Sequence, residues 1–236
     1  MLISCNTMWL PKIGNSAEEY EDAFATSEVE SKNSVFRCAV ADGASEASFS
    51  KDWAKLLVQS FVSEKQLKDM RASFANAVCQ KDLSWYAEEK LSKGSFAAYV
   101  GLSILKDRYW RAEAIGDCCL FHIHEGKVIG TFPLLSSAEF SNTPRLVSSK
   151  SDDPVELPST VAGTWSPDDR FLLLSDALAY WLMNTMEEHE DAAMRLVELK
   201  TNQDLEEFAK RERSIESGSD LKNDDLTLMI VEITAD

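Results

Sequence analysis

Basic residues are in short supply in this chain. Lysine and arginine total 24 against 40 aspartates and glutamates, a formal net charge of −16 over 236 residues. A field of that sign repels phosphate backbones and anionic lipid, so it argues against nucleic acid and membrane surfaces as partners. No apolar run approaches the length of a bilayer-spanning helix. The first ten residues have neither the basic start nor the long apolar core of a secretory signal, and they read as a strand. The cysteines number five, an odd count, and no CxxC occurs. Cys118 and Cys119 are adjacent and would face opposite ways on a strand. A disulfide framework and a thiolate zinc site are thereby disfavoured, and a reducing, cytoplasmic setting is expected. The chain also lacks a GxSxG, a P-loop and an HExxH, so no familiar nucleophile or zinc motif is available. It shows no internal repeat and no linker. With 44% hydrophobic residues it can bury a sizeable core, and one domain over residues 1–236 is expected.

What is there is an alternation of strand-like and helical blocks. Residues 1–10, 22–25 and 35–41 read as strands, and a polar loop separates the first two. From Trp53 the period changes: Trp53, Leu56, Leu57, Phe61 and Val62 recur at helical spacing. A second helix is expected over about 67–91, with Phe74, Val78, Leu83 and Tyr86 facing inward, ended by Lys93-Gly94. Strands return over 95–105, 109–115, 119–124 and 127–132, the last two joined by a turn at Glu125-Gly126. Five of the six prolines fall between Pro133 and Pro167. That serine-rich stretch is expected to be a loop-rich insertion with one helical turn. Arg170–Ser175 is a continuous apolar run, the pattern of a strand buried on both faces. Helices are expected through 181–186, 190–200 and 204–213, and a final strand over 226–233. The tally suggests an α+β fold, a two-sheet core with helices packed outside rather than a regular βαβ alternation.

Short acidic islands punctuate this pattern where strands should end: Glu21-Asp22, Asp42-Gly43, Ser175-Asp176 and Asp224-Asp225. A carboxylate at the end of an apolar strand is poorly suited to packing and well suited to holding a hard cation. Several carboxylates converging require a counter-charge. Asp42, Asp176 and Asp224, with a glycine carbonyl, could hold two divalent ions, one aspartate bridging. Such a pair of ions can clamp a phosphoryl oxygen and activate water, so no side-chain nucleophile is needed.

The ordered series Glu21-Asp22, Asp42-Gly43, Gly94-Ser95, Gly116-Asp117, Ser175-Asp176 and Asp224-Asp225-Leu226-Thr227 resembles the type-2C (PPM) metal-dependent serine/threonine protein phosphatases. The similarity runs from about residue 3 to 234. It implies a four-layer α/β/β/α sandwich, two mostly antiparallel sheets flanked by helix pairs. It further implies Mn²⁺ or Mg²⁺ as cofactor, two ions with a weaker third in bacterial members. By this resemblance Asp42 bridges both ions and the Gly43 carbonyl binds one. Asp176 and Asp224 are the remaining direct ligands, Glu21 and Asp22 hold metal-bound water, and Asp117 helps hold the third ion. Asp42 and Asp22 are then the residues nearest the chemistry. Gly94-Ser95 matches a structural strand start, and residues 133–167 match the family's variable flap. The implied activity is hydrolysis of phosphoserine or phosphothreonine in a phosphoprotein by a metal-activated water, opposite a cognate kinase.

The sequence departs from the family pattern in places. Asp42-Gly43 continues as Ala-Ser-Glu-Ala47 without a second glycine, and Asp176 is followed by Ala177. Residues 11–20 offer Lys12 where many members carry a phosphate-gripping arginine. A lysine replaces a bidentate guanidinium only in part. These departures motivate a second expectation, a weakly catalytic or inactive regulatory module on the same fold. A two-metal nuclease also fits the carboxylates but conflicts with the negative charge and the lack of a basic track. His122 and His124 share a strand face and with Cys118 could mimic a zinc site, although a solvated hairpin face is the expected reading. Trp53, Trp85, Trp110, Trp165 and Trp181 are expected in the core, and Trp181 could line the site.

Overall fold

The computed structural model describes residues 2–27, 35–44, 49–79, 93–189, 191–214 and 221–234. The described strands are β1 (Leu2–Leu10), β2 (Ala23–Thr26), β3 (Val35–Gly43), β4 (Phe96–Leu105), β5 (Tyr109–Ile115), β6 (Cys119–His124), β7 (Lys127–Phe132), β8 (Val147–Ser148), β9 (Ser159–Thr164), β10 (Arg170–Leu174) and β11 (Leu226–Thr234). The helices are α1 (Ser50–Val62), α2 (Leu67–Cys79), α3 (Asp176–Met186), α4 (Ala192–Val197) and α5 (Asn202–Glu212). The continuation expected for the second helix, with Leu83, Trp85 and Tyr86, lies outside the described residues, as does the run after Ala44. No described helix is long and apolar enough to cross a membrane.

The strands form two sheets. One runs β1-β11-β10-β6-β7 and the other β2-β3-β4-β5-β9, with β8 beside β4. Every pairing among the described residues is antiparallel. Three apolar clusters follow from the alternation of side chains along these strands. Between the sheets, Val40, Val100 and Leu102 of one meet Leu120, Phe171, Leu173 and Val231 of the other. On the outer face of the first sheet, Phe121, Leu172 and Leu228 pack on Leu178, Trp181 and Leu182 of α3 and on Leu205 and Phe208 of α5. On the outer face of the second sheet, Ala39, Ala41 and Tyr99 pack on Trp53, Leu57 and Val58 of α1 and on Met70 and Phe74 of α2. The result is the helix, sheet, sheet, helix layering expected. Trp53 and Trp181 are fully buried, as expected of core residues.

β10 explains the continuous apolar run. It lies between β11 and β6, and Phe171 to Leu174 have no exposed surface. Both of its faces are covered, so alternation has no reason to appear.

Two expectations change. The stretch 133–167 holds more than a helical turn: besides a 3-10 turn at Ser137–Glu139 it supplies β8 and the edge strand β9. The histidine pair is not a solvated face. His122 is buried, stacked on Phe171 with ring centroids 4.4 Å apart. Its Nε2 lies 2.8 Å from Asp169 Oδ2, and His124 Nδ1 lies 2.6 Å from Asp169 Oδ1. The two imidazoles clasp one buried carboxylate and leave Cys118 in the inter-sheet core.

Candidate active site

Strand register brings the acidic islands to one edge of the sandwich. In the second sheet, Ala23 pairs with Ala41, so Asp22, one residue before β2, stands beside Asp42. Asp42 pairs in turn with Ala98 of β4, and Tyr99 pairs with Ile115, so Gly116-Asp117 emerges beyond the same row. The chain crosses between sheets at Asp117-Cys118, from β5 to β6. In the first sheet, Leu174 pairs with Leu228 on one side and Cys119 on the other. Ser175-Asp176 and Asp224-Asp225 therefore leave the sheet at the end where Asp117 enters it. Islands separated by up to about two hundred residues meet because antiparallel pairing brings the starts of β2 and β11 and the finishes of β3, β5 and β10 to one edge.

Hydrogen bonds fix these ends. The Ser175 amide donates to the Thr227 carbonyl at 3.2 Å, and the Thr227 amide donates to Ser175 Oγ at 2.9 Å. Thr227 Oγ1 donates to Asp22 Oδ2 at 2.6 Å and lies 2.5 Å from the Tyr20 hydroxyl, tying the two sheets together. Asp225 accepts the Lys12 amide at 2.8 Å and the Glu21 amide at 2.7 Å. Glu21 Oε1 accepts from Ser50 Oγ at 2.9 Å at the start of α1. Gly43 is required here: a Cβ would meet the Glu21 carbonyl oxygen and the Ser50 carbonyl carbon, both at 2.8 Å. Gly116, at φ +96°, likewise admits the Arg145 carbonyl oxygen, 2.8 Å from where a Cβ would stand.

The electrostatics identify which carboxylates are neighbours. Burial pushes Asp42 well above the ordinary carboxylate range, and Asp22, Asp176, Asp117 and Asp224 push it further by like-charge repulsion. Burial raises Asp22 to about 8, against the Thr227 hydrogen bond and with added repulsion from Asp225 and Asp176. Asp117 rises to about 7 by burial and the Asp176 charge. Asp176 is raised by burial and Asp224, although it shares a hydrogen bond with Asp42 and accepts its neighbour's amide, from Ala177, at 2.5 Å. Among the described residues no ion pair reaches Asp22, Asp42, Asp117, Asp176 or Asp224.

The structure thus makes Asp22, Asp42, Asp117, Asp176 and Asp224 electrostatic neighbours and sets the Gly43 backbone against Glu21. Among the described residues, no three Asp, Glu, His or Cys side chains are drawn together closely enough to hold an ion as they stand. The arrangement is a set of neighbouring carboxylates rather than a closed coordination shell. Oxygen donors of this kind suit a hard divalent ion, and their unmatched negative charge fits one. Sequence reasoning assigns no role to Tyr20, Ser175, Asp225 or Thr227. The Asp225 and Thr227 signal was present in the Asp224–Thr227 motif, while Tyr20 carried none.

The sequence model of the family described as Protein phosphatase 2C matches residues 15–216. Comparison with curated protein sequences gave no match. Among solved structures, RsbX in complex with magnesium superposes with a TM-score of 0.56 at 18% identity, covering 98% of this chain and 96% of that one. A serine/threonine phosphatase of S. agalactiae gives 0.62 at 15% identity, covering 98% and 100%. The catalytic domain of the serine/threonine phosphatase PstP in complex with 2 manganese ions gives 0.60 at 13% identity, covering 99% of each. At such identities the likeness speaks for the fold, and the family match over most of the sequence speaks for kinship. The chain belongs to the protein phosphatase 2C family of metal-dependent serine/threonine phosphatases and is classed as an enzyme of that type.

Proposed function

We propose that this protein removes phosphate from phosphoserine or phosphothreonine in a protein substrate, with Mn²⁺ or Mg²⁺ as cofactor. The observation that carries the reading is the gathering of Asp22, Asp42, Asp117, Asp176 and Asp224 at one edge of the sandwich without a paired cation among the described residues. Two relatives of the same fold have been solved with magnesium or with manganese. Asp42 would hold two ions, joined by the Gly43 carbonyl, Asp176 and Asp224, with Asp117 at a weaker third. Bound divalent ions would supply charge neutralisation at phosphoryl oxygens and a lowered pKa for water.

The chain's own residues do the rest. Asp225 fixes the Glu21 backbone, Ser50 Oγ fixes the Glu21 carboxylate and Thr227 fixes the Asp22 carboxylate, so that both acidic groups of the first island are oriented before any ligand arrives. Asp22, with Glu21, would hold metal-bound water beside Asp42. Residues 133–167 border the Asp117 side through Pro133, Glu139 and Arg145, as a flap controlling access would. The whole of residues 1–236 is read as one such domain, acting in the cytoplasm against a serine/threonine kinase.

The test is hydrolysis of an aryl phosphate and of phosphoserine peptides with Mn²⁺, Mg²⁺ or chelator. Activity that requires the ion and is lost in Asp42→Ala and Asp176→Asn is expected. A second reading, a phosphatase-fold binding module, is favoured by Lys12, which stands in the loop before Glu21 and pairs with it at 3.9 Å. Wild-type protein inert with every ion and several phosphopeptides would favour that module.

A further inference from the structure

Among the described residues, Lys12, Arg145, Arg213 and Lys222 lie around the gathered carboxylates, and the first three are engaged with acidic groups or backbone carbonyls. Lys12 Nζ sits 3.9 Å from Glu21. Arg145 pairs with Glu156 at 2.5 Å. Arg213 donates to the backbone carbonyls of Lys222 at 3.1 Å and Asp224 at 2.9 Å. Lys222 differs. It is exposed, it lies two residues before Asp224, and among the described residues it forms no ion pair. Its ammonium stands 4.9 Å from the Tyr180 ring centroid. Tyr180 lies one turn along α3 from Asp176, and its ring meets Phe140 edge-on at 5.5 Å, just after the 3-10 turn of the 133–167 segment. A cavity of about 300 Å³ is lined by Asp117, Leu134 and Arg145 and by Glu139 and Ser141, the chain neighbours of Phe140.

We propose that Lys222, held over Tyr180, is the side chain that receives the phosphoryl group of the substrate beside Asp176 and Asp117. This deepens the phosphatase reading and rests on it. An aromatic face restrains an ammonium without neutralising it, and the Arg213 contacts fix the backbone that carries it. The charge therefore remains available to a phosphate dianion. Its field already reaches Asp117 and Asp176. Lysine offers a point charge with rotatable donors, so it would tolerate several phosphoryl orientations where an arginine fork would impose one. From this position Lys222 would supply a phosphate contact that Lys12, tied to Glu21, does not.

The test reads binding apart from turnover. Inorganic phosphate is titrated calorimetrically into the Mn²⁺-loaded wild type, Lys222→Met, Lys222→Arg and Tyr180→Leu, and Mn²⁺ affinity is measured for each without phosphate. Lys222→Met is expected to weaken phosphate binding about tenfold, as loss of one charge-assisted contact does, and to raise KM for a phosphopeptide more than it lowers kcat. Lys222→Arg should restore most of the affinity, and Tyr180→Leu should show a smaller loss in the same direction. Mn²⁺ affinity should be unchanged or tighter in Lys222→Met, because a repelling cation has gone. Phosphate affinity within twofold of wild type in Lys222→Met overturns the proposal, as does absence of phosphate binding by the Mn²⁺-loaded wild type. Parallel loss of Mn²⁺ and phosphate binding in Lys222→Met also overturns it, since the residue would then be structural. Because phosphate binding is read without hydrolysis, a wild type that binds phosphate but hydrolyses nothing would sink the catalytic reading and leave this one standing.

Discussion

Thr227 Oγ1 donates a 2.6 Å hydrogen bond to Asp22 Oδ2 although 205 residues separate them, and this contact joins the two sheets at the site. Thr227 has no exposed surface and Asp22 almost none. A buried carboxylate that loses a hydrogen-bond donor bears the full cost of its desolvation. Thr227→Val keeps the shape, removes that donor and leaves the Tyr20 hydroxyl without its partner. The expected loss is about 2–3 kcal/mol in urea unfolding. Tyr20→Phe alone should cost about 1 kcal/mol, and a double-mutant cycle should show the two to be coupled. Additive effects would mean that the contact does not act as one chain.

Gly43 is squeezed between the Glu21 carbonyl and the first residue of α1. Both close atoms are backbone, so no side chain can swing aside to admit a methyl group. Gly43→Ala should therefore cost about 1–3 kcal/mol in stability and displace Glu21 as well. The second effect is the diagnostic one. A variant that melts earlier yet binds Mn²⁺ with wild-type affinity would show that the close approach serves packing alone.

Carboxylates gathered without counter-charge work against the fold until an ion arrives. Asp176→Asn removes one charge from the neighbourhood of Asp42 and Asp224. It should raise the Tm of chelator-treated protein by a few degrees, of the order expected for about 1 kcal/mol. In the wild type, Mn²⁺ at a hundred times its Kd should add about 2.7 kcal/mol, and in Asp176→Asn that increment should largely vanish. Calorimetric scans with and without Mn²⁺ decide the matter. An unchanged Mn²⁺ increment in the variant would remove Asp176 from the ligand set.

The sequence made the ends of strands legible and left much of what holds them hidden. Asp42-Gly43 and Ser175-Asp176 stand out because each stops an apolar run, and antiparallel register then carries them to one edge. The layering was legible for the same reason: alternation along β5, and its absence in β10, report how many faces are covered. Residues whose value lies in a distant partner were not legible. Tyr20 and Thr227 are ordinary strand-flanking residues until the two sheets meet. β9 was obscured because an exposed edge strand, Ser159–Thr164, has little apolar content and sits among prolines and serines. The His122 and His124 periodicity gave a shared face correctly. Which way that face turned depended on Asp169, 45 or more residues away and outside any local pattern.

That clasp gives the far side of the sandwich a pH signature of its own. Burial alone would raise the Asp169 carboxyl, but the Ser166 amide and the two imidazoles more than offset it, and its pKa lies below the ordinary value of 3.8. His124 lies above its ordinary 6.5, chiefly through the Asp169 hydrogen bond, with a smaller contribution from the Glu125 charge. A lowered carboxylate stabilises the fold above pH 3.8 and loses that contribution as pH falls through its folded value. A raised imidazole stabilises it below pH 6.5 and loses the contribution as pH rises through its folded value. Both contributions are fully present between those limits, so the clasp is strongest near pH 5. Asp169→Asn should cost about 1–3 kcal/mol there, with a smaller cost once pH has risen through the raised His124 value. His124→Ala should flatten the difference while leaving the His122 contact in place. Urea midpoints at pH 5 and 8.5 for the three proteins test this, and an Asp169→Asn penalty that grows with pH would show that His124 is not held as a cation by Asp169.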